Sequence, residues 1–180
     1  MRYRERNYEA RITYLATLRQ IVTARGSADV VYLDESGFAA TTERDAGWAY
    51  RGKHVYGERS GKTRPRTSLI AGKRGKELLA PVLFQGTTTA SWFTTWVKQH
   101  LLPELRPNST LILDNAAFHP KMRMDALAQQ YGHQVLFLPP YSPDFNPIEH
   151  VFAILKKRRM SAPAGTSLDQ IVNSYGSLSP

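Results

Sequence analysis

No cysteine occurs among the 180 residues. Disulfides and thiolate metal sites are thereby excluded, and any bound metal has to be held by oxygen or imidazole. Carboxylate oxygen in turn suits Mg²⁺ or Mn²⁺. Long apolar runs are also missing: none approaches the roughly 18 residues that a membrane helix needs. The opening stretch, MRYRERNYEARITY, has no apolar segment of signal-peptide type. The expectation is a soluble, cytoplasmic chain. Acidic residues are the minority charge, 15 against 24 Lys and Arg, which leaves a net charge of +9. That balance favours a polyanionic partner, nucleic acid first, and hence association with the nucleoid.

What the chain does contain is enough apolar material, 42% of residues, to close one domain-sized core. Its cations are clustered. Arg51, Lys53, Arg59, Lys62, Arg64, Arg66, Lys73, Arg74 and Lys76 fall in one stretch with a single acid, Glu58, and Lys156, Lys157, Arg158 and Arg159 form a second group. Clusters of this kind neutralise phosphates and release counterions, so binding should weaken steeply with salt. Arg64, Arg66, Lys73, Arg74, Lys156 and Lys157 are the expected DNA contacts.

Hydrophobic periodicity predicts a first helix over residues 5–25, with Tyr8, Ile12, Leu15, Leu18 and Val22 as its apolar stripe and Gly26 as its end. Val30-Val31-Tyr32-Leu33, Thr110-Leu111-Ile112-Leu113 and Val135-Leu136-Phe137-Leu138 are short, apolar, β-branched runs that read as buried central strands. A weaker strand is expected around residues 47–50. Residues 67–71 and 78–84 read as a hairpin about the glycine-containing stretch 72–76. Helices are expected over 90–102, 120–131 and 147–159, the last after the proline-rich connector PPYSPDFNP. The alternation argues an α/β domain with a mixed sheet. Residues 1–26 read as a helix or linker, 27–160 as the α/β domain, and 161–180 as a poorly ordered tail with a short helix near 168–175.

Two of the apolar strands run directly into an aspartate, Asp34 and Asp114. Ionised carboxylates are expensive to bury, but at a strand's carboxyl end they reach the crevice where α/β sheets bind ligands. Two neighbouring carboxylates repel, and a divalent cation resolves that repulsion. A third acid, Glu149, follows Asn146-Pro147, which reads as an N-cap and first helical residue. A capping glutamate would occupy the same place. The functional alternative is that the rigid connector folds this first turn over the strand ends and aims Glu149 at the two aspartates.

The blocks LDESGF (33–38), LDNAAFH (113–119) and LPPYSPDFNPIEHVFAILK (138–156) resemble those of DDE transposases, closest to bacterial insertion-sequence enzymes of the mariner superfamily. The resemblance covers roughly residues 30–159, and its last block is the most specific. It implies an RNase H-like fold, a five-stranded mixed sheet flanked by helices. It also implies a catalytic, metal-binding triad of Asp34, Asp114 and Glu149 holding two Mg²⁺, with Mn²⁺ able to substitute. The implied activity is cleavage of double-stranded DNA at element ends and transfer of those ends into target DNA, by a homodimer in a synaptic complex. Members of this kind usually carry helix-turn-helix modules ahead of the catalytic domain. Only some 25 residues precede the first strand here, which fits a fragment, one part of a transposase encoded in two pieces, or a degenerate copy, and counts against autonomous recognition of element ends. Asn115 and His119 flank the second acid and are candidates for orienting it or touching DNA, with a turn or helix-start role as the alternative. Glu35 should face the other side of its strand. An RNase H-like nuclease without strand joining, or a DNA-binding remnant without catalysis, would share much of this pattern.

Overall fold

A computed structural model describes residues 7–26, 29–39, 49–54, 56, 66–115, 121–163 and 165–175. Five strands form one mixed sheet: β1 (Val30–Ala39), β2 (Arg66–Arg74), β3 (Glu77–Gln85), β4 (Thr110–Leu113) and β5 (Gln134–Phe137), in the order β3-β2-β1-β4-β5. The first three form an antiparallel meander, whereas β4 and β5 join β1 in parallel. β1 is therefore the strand at which the sheet changes sense. Of the three runs expected to be central, β1 and β4 are. β5 is the outer strand, and its four residues are only partly buried. The expected weak strand around 47–50 lies largely outside the described residues, and Ala49 and Tyr50 belong to no strand.

Side-chain alternation along β1 sorts the core into two faces. Val31 and Leu33 point to the face covered by α2 (Ala90–Trp96) and α3 (Lys121–Gln130), where Phe93, Trp96, Leu111, Leu113 and Met124 are buried. Val30, Tyr32 and Phe38 point to the opposite face, covered by α1 (Tyr8–Arg25) at one end and by α4 (Ile148–Ser161) and α5 (Leu168–Asn173) at the other. The short helix expected near 168–175 is thus α5. It starts with a Ser167/Gln170 capping box and buries Ile171 and Val172 against α4. Among the described residues no helix is long and apolar enough to cross a membrane.

Three details differ from the sequence reading. Helix 90–102 is α-helical only to Trp96, continues as a π-helical turn over Val97–Leu101 and tightens to a 3₁₀ turn at Leu102–Glu104. The β2–β3 turn is only Gly75-Lys76, with Gly75 at φ 53° and Arg74 paired with Glu77. Finally, α1 presents a different face from the one expected. Tyr8, Ile12 and Leu15 are exposed, and the inward residues are Arg11, Tyr14, Leu18 and Val22. Both stripes have helical spacing. Tyr14 belongs inside because its ring stacks on Phe145 at 5.4 Å.

His133, just after α3, is 9% exposed, and burial holds its imidazole below the ordinary histidine range. The folded state therefore favours the neutral ring, while the unfolded chain takes up a proton near about pH 6.5. Its contribution to stability is complete above that pH and is lost as pH falls below it. Replacing His133 with Gln should flatten the decline of the urea midpoint between about pH 7 and pH 5. An unchanged slope would remove His133 as its source.

Candidate active site

Asp34 and Asp114 are brought level by the β1–β4 ladder. Val30, Val31 and Tyr32 pair with Thr110, Leu111 and Ile112, and the same register carried two residues further sets Asp34 beside Asp114. Both side chains leave the sheet on the face of Tyr32 and Ile112. β1 does not end at Asp34, as the apolar run suggested. It continues to Ala39 because β2 still offers hydrogen bonds there, with Asp34 opposite Ala71. On its other side β4 has stopped at Leu113, which opens the space that both carboxylates face. They line a cavity of about 720 Å³ together with Asn115, Asn146 and Glu149, and the connector 138–143 forms another wall.

Asp34 is held at both oxygens. Oδ1 accepts the Glu35 backbone N–H at 2.7 Å and Oδ2 accepts from Asn146 Nδ2 at 3.1 Å. The second bond corrects the reading of α4. Asn146 does not cap the helix. Pro147 is the N-cap residue and makes no side-chain bond there, so Glu149 is the second helical residue. A carboxamide bond to a carboxylate is charge-assisted and stronger than a neutral cap, which explains the choice. The Glu149 carboxyl is exposed at its tip yet held above the usual range. Partial burial is the main cause, His150 and Lys156 oppose it, and Asp144 and Asp114 add like charge.

The connector that delivers Asn146 and Glu149 is pinned by α1. Arg11 forks onto Asp144, with NH2–Oδ2 at 2.6 Å and NH1–Oδ1 at 3.1 Å, and donates from NH1 to Ser142 Oγ at 2.7 Å. Its guanidinium also lies 3.9 Å over the Phe145 ring. Arg11 is not among the residues of the apolar stripe expected for this helix. The only sequence signal for it was its helical spacing from Tyr14, Leu18 and Val22.

The remaining predicted residues divide sharply. Asn115 lines the cavity, but its amide donates to the Leu138 carbonyl and ties the end of β4 to that of β5. Glu35 faces the other side of the sheet, as expected, and accepts the Thr88 hydroxyl. Lys156 lies two turns after Glu149 on the same side of α4, its ammonium 5.8 Å from the Phe38 ring centre. Lys157 is exposed and lines a separate shallow cavity with Ile154, Arg158 and Ser161. Arg66 lies across Gly37, where an added Cβ would fall 1.5 Å from its Nε, on the sheet face opposite Asp34. Lys73 and Arg74 are at the far end of the sheet, level with Tyr32 and close to the β2–β3 turn. Lys73 donates to the Gly75 carbonyl, and Arg74 is engaged by Glu77 at 2.6 Å and by the Glu104 carbonyl at 3.1 Å. Arg64 and His119 lie outside the described residues.

Chemically the cavity offers an all-oxygen donor set with mutual charge repulsion, which suits a hard divalent cation. Among the described residues no three Asp, Glu or His side chains converge on one coordination point: the acids line the cavity without closing on it.

Residues 29–171 match the family model described as DDE superfamily endonuclease. No curated protein matches the chain. Among solved structures, the Mos1 strand transfer complex matches with a TM-score of 0.79 at 17% identity, over 100% of this chain and 57% of that one. The Mos1 mariner paired-end complex with Mn matches at 0.77 and 16%, over 100% and 58%. The catalytic domain of Mos1 mariner transposase matches at 0.65 and 15%, over 96% and 81%. The chain therefore spans under three-fifths of the Mos1 chains in the two complexes. At such identities the likeness establishes the fold, which is the RNase H-like one expected.

Proposed function

We infer that this chain, which belongs to the DDE superfamily endonucleases, is the catalytic part of a mariner-type transposase of a bacterial insertion sequence. It would cut double-stranded DNA at element ends and join those ends to target DNA. The observation that carries the reading is that Asp34, Asp114 and Glu149, contributed by β1, the end of β4 and the first turn of α4, line one cavity. Their chemistry fits two Mg²⁺ or Mn²⁺ ions, and Mos1 paired-end complexes with Mn and with Mg support that choice. When bound, such ions activate the attacking oxygen and offset charge on the leaving oxygen of an in-line displacement.

The protein's own part is placement. The backbone of Glu35 and the carboxamide of Asn146 fix Asp34 in one orientation, and Asn115 fixes the strand end that bears Asp114. Lys156, on the Glu149 side of α4, is suited to hold a phosphate beside the cavity. Arg66 and Arg74 lie off that face, and Lys73 shares it but lies towards the β2–β3 turn, so any contact they make would be with DNA reaching beyond the site. A pair of such subunits would be needed to hold two element ends.

Incubating the protein and Mg²⁺ with DNA that carries the element's ends and a target plasmid tests the reading. Joined products are expected. Cutting without joining would reduce the protein to a nuclease, and a shifted but uncut DNA to a binding remnant. Lys156→Ala should lower the slope of log affinity against log salt by about 0.9, whereas Lys157→Ala should change it less. Equal slopes in both variants would remove Lys156 from the phosphate path.

A further inference from the structure

Asn146 is 3% exposed, and its carboxamide is only half used. Nδ2 donates to Asp34, while Oδ1 is buried with no hydrogen-bond partner. Burying an unpaired carbonyl disfavours folding, so a neutral cap or an apolar side chain would suit this position better if stability alone decided it. The bond to Asp34 is what the arrangement gains.

Asn146 is in turn held from a distance. Phe145 N donates to the Ser142 carbonyl at 3.1 Å and Asn146 N to the Pro143 carbonyl at 2.8 Å, so residues 142–146 form one compact turn. That turn is gripped at Ser142, Asp144 and Phe145 by the single guanidinium of Arg11. α1 lies ahead of the family-matched residues 29–171, yet it holds the segment that carries Asn146 to Asp34.

We propose that Arg11 and Asn146 form one positioning relay, in which Arg11 fixes the 142–146 turn and Asn146 orients the Asp34 carboxylate for a divalent cation. The relay rests on the catalytic reading above. Neither residue touches the reacting atoms.

The test titrates Mn²⁺ into the full chain without DNA and reads unbound ion by electron paramagnetic resonance. Wild type, Arg11→Ala, Asn146→Ala and the double variant are compared, with melting temperatures alongside. Val172→Ala, in the α5 packing away from the cavity, controls for lost stability alone. Each single variant should weaken Mn²⁺ binding about 10–100-fold, and Val172→Ala should leave it unchanged. The double variant should be no weaker than Asn146→Ala, because both changes remove the same orientation of Asp34. Arg11→Lys, which keeps the charge but not the fork, should recover part of the loss. Losses that multiply in the double variant, or single variants that bind like wild type, would overturn the relay alone. If Asn146→Ala does not fold, Asn146→Ser takes its place with the same outcomes. Wild type without Mn²⁺ affinity, or Asp34→Asn with full affinity, would overturn the catalytic reading and the relay with it.

Discussion

Asp114→Asn should reduce cutting and joining by about 10³-fold or more while leaving the protein folded and its DNA affinity nearly intact. The size follows from the charge stabilisation asked of the site, several kcal/mol, at about 1.4 kcal/mol for each factor of ten in rate. The sparing of stability follows from the geometry. Asp114 adds like charge to Glu149 and helps to hold that carboxyl above its usual range. Neutralising Asp114 relieves that repulsion, and asparagine keeps the size of the side chain, so the melting temperature should change little. The measurement is a joining assay run beside a DNA-binding titration and a thermal melt. Full activity would remove Asp114 from the catalytic assignment, and a collapse of the melt would make its role structural.

The largest expected effect on stability lies on the other face of the sheet. Trp96 is 2% exposed, packs on Phe93 with ring centres 5.8 Å apart, and donates its indole N–H to the Ala80 carbonyl at 3.0 Å. Ala80 sits at φ 45°, where the β2–β3 register shifts, and its N–H is taken by Glu104 Oε2 at 2.9 Å. The indole therefore fills the core and closes an irregularity in β3. Trp96→Ala should cost about 3–5 kcal/mol, a fall of roughly 6–20 °C in Tm for a chain of this size. Trp96→Phe retains most of the volume but strands the Ala80 carbonyl, and should cost about 1–3 kcal/mol. Equal losses in the two variants would show that the hydrogen bond, not the volume, dominates.

The parts of this structure that were legible in the sequence are those set by local chemistry. β1, β4 and β5 announce themselves as β-branched runs, the connector by its prolines, and the acids by their position after apolar residues. Two apolar runs that each lead into an aspartate suffice to suggest a paired site. Three things were not legible. The length of β1 depends on β2 continuing to pair after β4 has stopped, which no local pattern records. The buried face of α1 was misread because two helical stripes compete, and Ile12 and Leu15 are more apolar than the true inward pair, Arg11 and Tyr14. The partner that makes Arg11 an inward residue, Asp144, is 133 positions away in the chain. Asn146 reads locally as a cap. Only the arrival of Asp34, 112 positions earlier, turns its side chain to another use.

The change of sense at β1 also bears on how the chain reaches its working form. β2 and β3 pair across a two-residue turn and close a short loop, and β1 joins β2 across the longer segment between Ala39 and Arg66. The strands that carry Asp34 and Asp114 meet only through a parallel pairing that spans the whole meander and the helix after it. Closing so long a loop carries a larger entropic penalty and is slower than zipping a hairpin. The meander should gain hydrogen-exchange protection first, with Asp34 already in place on it but facing no second acid. A chain emerging from the ribosome would thus have no assembled cutting centre until β4 docks, and α4 follows later still. On the catalytic reading, the three acids would come together only after most of the domain has been made.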